Sequence, residues 1–136
     1  MNSFVRLGFF PPSYNFGLLV LRVCFGFGLF WCHGLSKISN FAQMSQHFAD
    51  PLHIGVRTTL MLAIFAESVC AFLVVLGLAT RWAALVIAID VGTAFSLVHK
   101  FRLTGQGSGE LAFLYLTVMV VLFICGAGRY SLDGKA

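Results

Sequence analysis

Four long apolar runs, at roughly residues 16–36, 58–78, 82–99 and 110–127, occupy most of this chain and carry almost no charge. A helix needs about 20 such residues to cross a bilayer, with a working range of about 17 to 25. Hydrocarbon offers the backbone no hydrogen bonds, so spans of this length must satisfy their own amides as helices. The expected fold is all-α: a transmembrane four-helix bundle forming a single membrane domain over residues 1–136. Composition points the same way, because 59% of the residues are hydrophobic and 10% charged, against about a quarter charged in a soluble domain. That balance excludes disordered, nucleic-acid-binding and small disulfide-rich secreted proteins.

Punctuation along the chain supports the division. Pro11 and Pro12 interrupt the N-terminal stretch and the apolar run continues well past them, so the first span is read as a retained helix and not a cleaved signal. Gly34 and Gly77 are credible stops for the first two helices, and Gly105, Gly107 and Gly109 read as a flexible linker before the fourth. Between the first two spans Phe41, Met44, Phe48 and Leu52 recur at three- and four-residue steps, with Gln43, Ser45 and Gln46 on the other side. This predicts a short interfacial helix over the mouth of the bundle, ended by Asp50-Pro51.

The net charge of +4 comes from nine scattered Lys and Arg against five Asp and Glu. They form no phosphate-binding patch, so the expected contact is membrane lipid and not nucleic acid. Four crossings put both termini on one face. Arg6, Arg81, Arg129 and Lys135 then stand on the terminal face against Lys37, Arg57, Lys100 and Arg102 on the other, a tie under the positive-inside rule. If Lys37 and Lys100 are reserved for function, the termini are cytoplasmic. Cys24, Cys32, Cys70 and Cys125 lack C-x-x-C or metal-ligand spacing and read as small buried hydrophobes.

Scarce charge makes the remaining ionisable residues informative. Arg22, Glu67 and Asp90 lie within the spans, where each unpaired charge costs about 2.5 to 3.5 kcal/mol at mid-membrane. Counting about 1.5 Å per residue from the terminal face puts Arg22 roughly 10 Å deep, Asp90 roughly 13 Å and Glu67 roughly 16 Å. Arg22 is expected to reach Glu67. Arg22, Gly26, His33 and Lys37 share one stripe of the first helix, and Ala63, Ala66, Glu67, Cys70 and Ala71 make a small-residue stripe on the second that suits close packing in lipid. Asp90 fits less well, because it points about 180° away from His99 on the same helix.

A second polar layer gathers near the opposite face: His33 and Lys37 after the first helix, His99 and Lys100 after the third, and Glu110 opening the fourth. Helix-dipole stabilisation accounts for Glu110 alone and snorkelling for either lysine. Together they suggest a site that binds or protonates a small polar or quinone-like molecule. The expected catalytic set is His33, Lys37, Glu110 and His99, with Arg22, Glu67 and Lys100 as cofactor-binding groups. No metal site is expected, and haem is not expected from two histidines without further ligands. Gly105-Gln-Gly107-Ser-Gly109 lacks the strand and Lys-Ser/Thr of a phosphate loop, while His47 and His53 should be solvated.

Endings also repeat. The second and fourth spans close on Gly77-Leu-Ala-Thr-Arg81-Trp82 and Gly126-Ala-Gly-Arg129-Tyr130, the first and third on His33-Gly-Leu-Ser-Lys37 and His99-Lys100. Taken with Leu21-Arg22, Gly26, Ala66-Glu67, Glu110-Leu-Ala and the tail Tyr130-Ser-Leu-Asp133, these residues resemble the DoxX family of small four-helix membrane proteins over about residues 17–134. The resemblance implies a bacterial inner-membrane protein associated with redox reactions, since related proteins serve as the membrane subunit of thiosulfate:quinone oxidoreductase and others accompany thiol-redox systems. Asp90 is not part of the family pattern. With no flavin motif, iron–sulfur cysteine set or C-x-x-C, the chain is expected to supply a quinone site while a peripheral oxidoreductase supplies the redox centre. A non-catalytic scaffold and a small-molecule or proton carrier are the alternatives, the latter requiring a homo-oligomer.

Overall fold

The computed structural model describes residues 12–135, and every regular element among them is helical. Three helices are long and apolar enough to cross a membrane: α1 (Tyr14–Ser39), α3 (Val56–Leu76) and α4 (Thr80–Val98). The short α2 (Phe41–His47) joins the first two, and the shorter apolar α5 (Glu110–Cys125) follows a glycine-rich loop. At about 1.5 Å per residue α1 reaches about 39 Å and α5 about 24 Å. Arg6 lies outside the described residues.

The ends of these helices are built by local chemistry. The Ser13 hydroxyl accepts from Phe16 N at 3.3 Å and caps α1. Gly77 stops α3 in the left-handed region at φ 69°, where it bears no β-carbon to clash, and Leu78 N–H turns back to Leu73 O at 3.0 Å. The chain re-enters a helix within three residues. Asp133, from the far end of the sequence, completes that turn by accepting from Ala79 N and Thr80 N at 2.8 Å each. The tail is further tied down by Asp133 N to Gly77 O at 2.8 Å and Arg129 N to Asn15 Oδ1 at 2.9 Å.

Packing is most extensive between α4 and α5 and next between α1 and the C-terminal part of α3. The core runs from Leu29 and Val74 through Ile87 and Val91 to Met119 and Leu122, interspersed with Ala71, Ala83 and Ala84. Small residues set the spacing, as lipid-embedded helices require. A β-carbon on Gly26 would stand 2.8 Å from Val75 Cγ2 and 3.1 Å from Ala71 O, so the α1 and α3 backbones are close there. Ala63, Ala66, Glu67, Cys70 and Ala71 are all buried, while Phe27, Trp31, Trp82 and Ile124 face outward. Apolar residues on the outside are expected when the solvent is lipid.

Three expectations change. Gly34 does not stop the first helix, which continues through a π turn at Phe30–Gly34 to Ser39. Cys70 is buried but Cys24, Cys32 and Cys125 lie on the outer surface, since lipid, unlike water, gives a small apolar side chain no reason to be inside. The glycine-rich segment is a folded loop: Gly105 and Gly107 have φ of 83° and 72°, Gly109 N donates to Arg102 O at 2.6 Å, and Gly109 is buried against Phe95 and His99.

The Asp133 carboxyl sits below the ordinary 3.8. Burial alone would raise it, but hydrogen bonds from Thr80 and Ala79 N–H and the nearby Arg22 cation outweigh that effect. Its cap is therefore complete above the ordinary value and is lost as pH falls through the lowered one. Asp133→Ala should cost about 1 kcal/mol of stability near neutrality, read as a lower melting temperature in detergent, and the gap to wild type should close in acid.

Candidate functional site

Each long helix bends its register before the site. Regular α-helix gives way to a π turn at Phe30–Gly34 in α1, Phe65–Cys70 in α3 and Ala94–Val98 in α4. Such turns frequently accompany functional sites, because one inserted residue rotates everything beyond it. The first two turns pack against each other. Gly34 permits this: a β-carbon there would fall 2.9 Å from the Glu67 carbonyl carbon and 3.1 Å from Ser68 Cα.

At this crossing Lys37 Nζ forms an ion pair with Glu67 Oε2, both side chains only 12% and 10% exposed. The expected Arg22–Glu67 pair does not form. Arg22, fully buried, instead donates to Val75 O at 3.1 Å, Val74 O at 3.4 Å and Tyr130 O, near Asp133. The cause is side-chain direction. Every Cα–Cβ bond tilts toward its helix N-terminus, and α1 and α3 are antiparallel. Arg22 therefore leans toward the terminal face, whereas Glu67 leans toward the opposite face, where Lys37 leans back to meet it.

Beside the pair lies a cavity of about 410 Å³. His33, Lys37, Glu67, Asp90, His99 and Tyr115 contribute its ionisable lining, set among apolar residues such as Leu29, Ala63, Val91 and Leu111. The His33 ring meets the Tyr115 ring edge-on at 5.8 Å between centroids. His99 Nδ1–H donates to Gly107 O at 2.8 Å, which leaves Nε2 as the free nitrogen of the neutral ring. The glycine loop thus orients a site residue.

Asp90 and His99 both line this space. In an uninterrupted helix they would diverge by about 180°; the residue inserted at Ala94–Val98 brings them to within about 80°. Tyr115 was missed by sequence reasoning. Its signal was a phenol five residues into an apolar run, since a buried tyrosine hydroxyl generally has polar work.

Three expected site residues are placed elsewhere. Arg22 holds the tail, as described. Glu110 is exposed and outside the cavity lining, being about 140° around α5 from Tyr115. Lys100 is also exposed, turned out by a left-handed φ of 49° just past the end of α4.

The segment after α2 roofs the cavity with Phe48, Ala49 and Pro51. Phe41, Met44 and Phe48 are half-buried as the stripe predicts, although Leu52 is exposed and α2 ends at His47, ahead of Asp50-Pro51. The Phe48 ring lies 6.0 Å from Lys37 Nζ. Asp50 fastens the roof, accepting from Thr59 Oγ1 at 2.7 Å, Gly55 N at 2.9 Å and Ile54 N at 3.2 Å. These bonds, Thr59's foremost, hold its carboxyl below the ordinary range. His47 and His53 are exposed.

Long apolar helices around an internal cavity lined by ionisable groups define a multi-pass membrane protein. The chain belongs to the DoxX family, whose model matches residues 17–100. That stretch contains Arg22, His33, Lys37, Glu67, Asp90 and His99 and stops before Tyr115. The chain is also similar to two uncharacterized proteins of Haemophilus influenzae. One is 29% identical over 130 residues, covering 87% of this chain and 89% of the relative. The other is 28% identical over 123 residues, covering 85% and 80%. No solved structure matches.

Lys37 and Glu67 offset each other's charge in an apolar setting, so losing one leaves the other unpaired. Glu67→Gln or Lys37→Met should each cost about 3 to 5 kcal/mol. The Lys37→Met/Glu67→Gln double variant should cost clearly less than the sum, measured as unfolding in detergent.

Proposed function

We propose that the chain is the membrane subunit of a quinone-linked redox system. It would be a four-helix bundle crossing the bacterial plasma membrane four times with cytoplasmic termini, α2 lying at the far interface and electrons arriving from a peripheral oxidoreductase. The observation that supports this reading is the convergence of proton-carrying side chains on one largely apolar cavity.

The residues present fit a quinone head group. A volume of about 410 Å³ falls within the roughly 300 to 1,000 Å³ of small-ligand pockets, and apolar walls with a few placed polar groups are the usual lining. When bound, a quinone supplies a two-electron, two-proton acceptor. Lys37 and Tyr115 offer hydrogen-bond donors to carbonyl oxygen. Two imidazoles, His33 and His99, add ring nitrogens that can donate to or accept from a bound oxygen. Phe48, Pro51 and Leu111 add apolar surface to the lining around them. Lys37–Glu67 holds the walls together and keeps the ammonium from neutralising the site. The sequence has no C-x-x-C and no iron–sulfur cysteine set, which is why the electron donor is assigned to a partner.

Purification in mild detergent, followed by an absorbance spectrum and mass spectrometry of bound molecules, tests this reading. A co-purified quinone is expected, and His33→Ala should lower quinone affinity at least about tenfold, the equivalent of one hydrogen bond to the ligand. Protein free of quinone, with no quinone-dependent electron transfer that His33→Ala diminishes, would overturn it. Ion or solute flux in liposomes under those conditions would identify a carrier instead.

A further inference from the structure

The cavity holds an unequal number of charges. Lys37 supplies one cation, and Glu67 takes it up as an ion pair. Asp90 faces the same space and lies within electrostatic reach of both. The other groups around it are His33 from α1, Cys70 from α3, Tyr115 from α5 and His99 from its own helix. None carries a permanent positive charge, and among the described residues Lys37 is the one lysine or arginine that lines the cavity. With every carboxyl ionised, the site would bear one uncompensated negative charge.

Asp90 is already half-buried, so its charge has only partial access to water. Entry of an uncharged, largely apolar head group removes the water and leaves a carboxylate against apolar walls and a second carboxylate, two conditions that both disfavour ionisation. Lys37 cannot neutralise both acids at once. The site restores its charge balance most cheaply by taking a proton.

We propose that Asp90 is a proton-coupling residue: the cavity takes up about one proton with each neutral ligand it binds, and Asp90 receives it. The chemical step is a protonation alone, O–H forming on the carboxylate from a solvent proton, with no electron moved. This rests on the cavity being the ligand site proposed above and adds a stoichiometry to it. A chain that loads a proton together with its quinone places beside it one of the two protons that quinone reduction consumes, the electrons coming from the partner.

The test uses purified full-length protein and a short-chain water-soluble benzoquinone, titrated calorimetrically at pH 8.5 in two buffers of different ionisation enthalpy. Wild type should take up about one proton per quinone bound. Asp90→Asn should bind with uptake near zero, and Asp90→Glu should restore it. A second arm needs no ligand. Ala94→Leu fills the cavity from within, and infrared difference spectra against pH should show the carboxyl band that Asp90→Asn abolishes titrating about one unit or more higher than in wild type.

Quinone binding without proton uptake, or uptake that survives in Asp90→Asn, overturns the proposal, as does an Ala94→Leu titration that does not move. If quinone fails to bind but the Ala94→Leu titration moves up, the coupling device stands and the quinone assignment falls.

Discussion

Bringing Lys37 to Glu67 requires the backbones of α1 and α3 to approach at Gly34, where a side chain of any size would strike the Glu67 carbonyl. That approach places the π turns of the two helices side by side, and the turns in turn rotate His33 and Lys37 toward the space beside α4 and α5. An ion pair in an apolar interior adds little stability on balance, because desolvating two charges is costly. Its value here is geometric. The charges have no solvent to retreat to, so the helices carrying them have few registers in which both are satisfied.

The two ends of the molecule use charge differently. At the terminal face Arg22 meets backbone carbonyls and Asp133, and Asp133 caps α4. Donors and acceptors are matched there, and the result is a fixed tail. Towards the opposite face the polar groups open onto a cavity beneath a roof fastened by Asp50. Acids, bases and a phenol are grouped there in excess of what packing requires. Perturbed or grouped ionisable residues in a cleft are a physical indication of function.

Much of the candidate site was legible because ionisable residues are costly in lipid and therefore few. His33, Lys37, Glu67 and His99 stand out in the sequence on that ground, and the structure brings all four to one cavity. The partner of Glu67 was not legible. Depth counted by residue number put Arg22 within reach, but side chains on antiparallel helices lean in opposite directions, and that sign decides the pairing. Asp90 was set aside because regular helical phase turned it away from His99, and a single π turn at Ala94–Val98 reverses that conclusion. Glu110 and Lys100 share a depth with the site but not a bearing.

From sequence alone follow the all-helical fold, the apolar segments of membrane length and the scarcity that marks certain charges as significant, because hydrocarbon imposes these rules on every residue separately. Which charge pairs with which, and which residues share a cavity, were decided only in the tertiary structure. Those outcomes depend on helix direction, on where backbones can touch at glycine and on π turns that shift phase by one residue. The first two are relations between helices, and the third breaks the regular helical period on which a reading of the sequence depends.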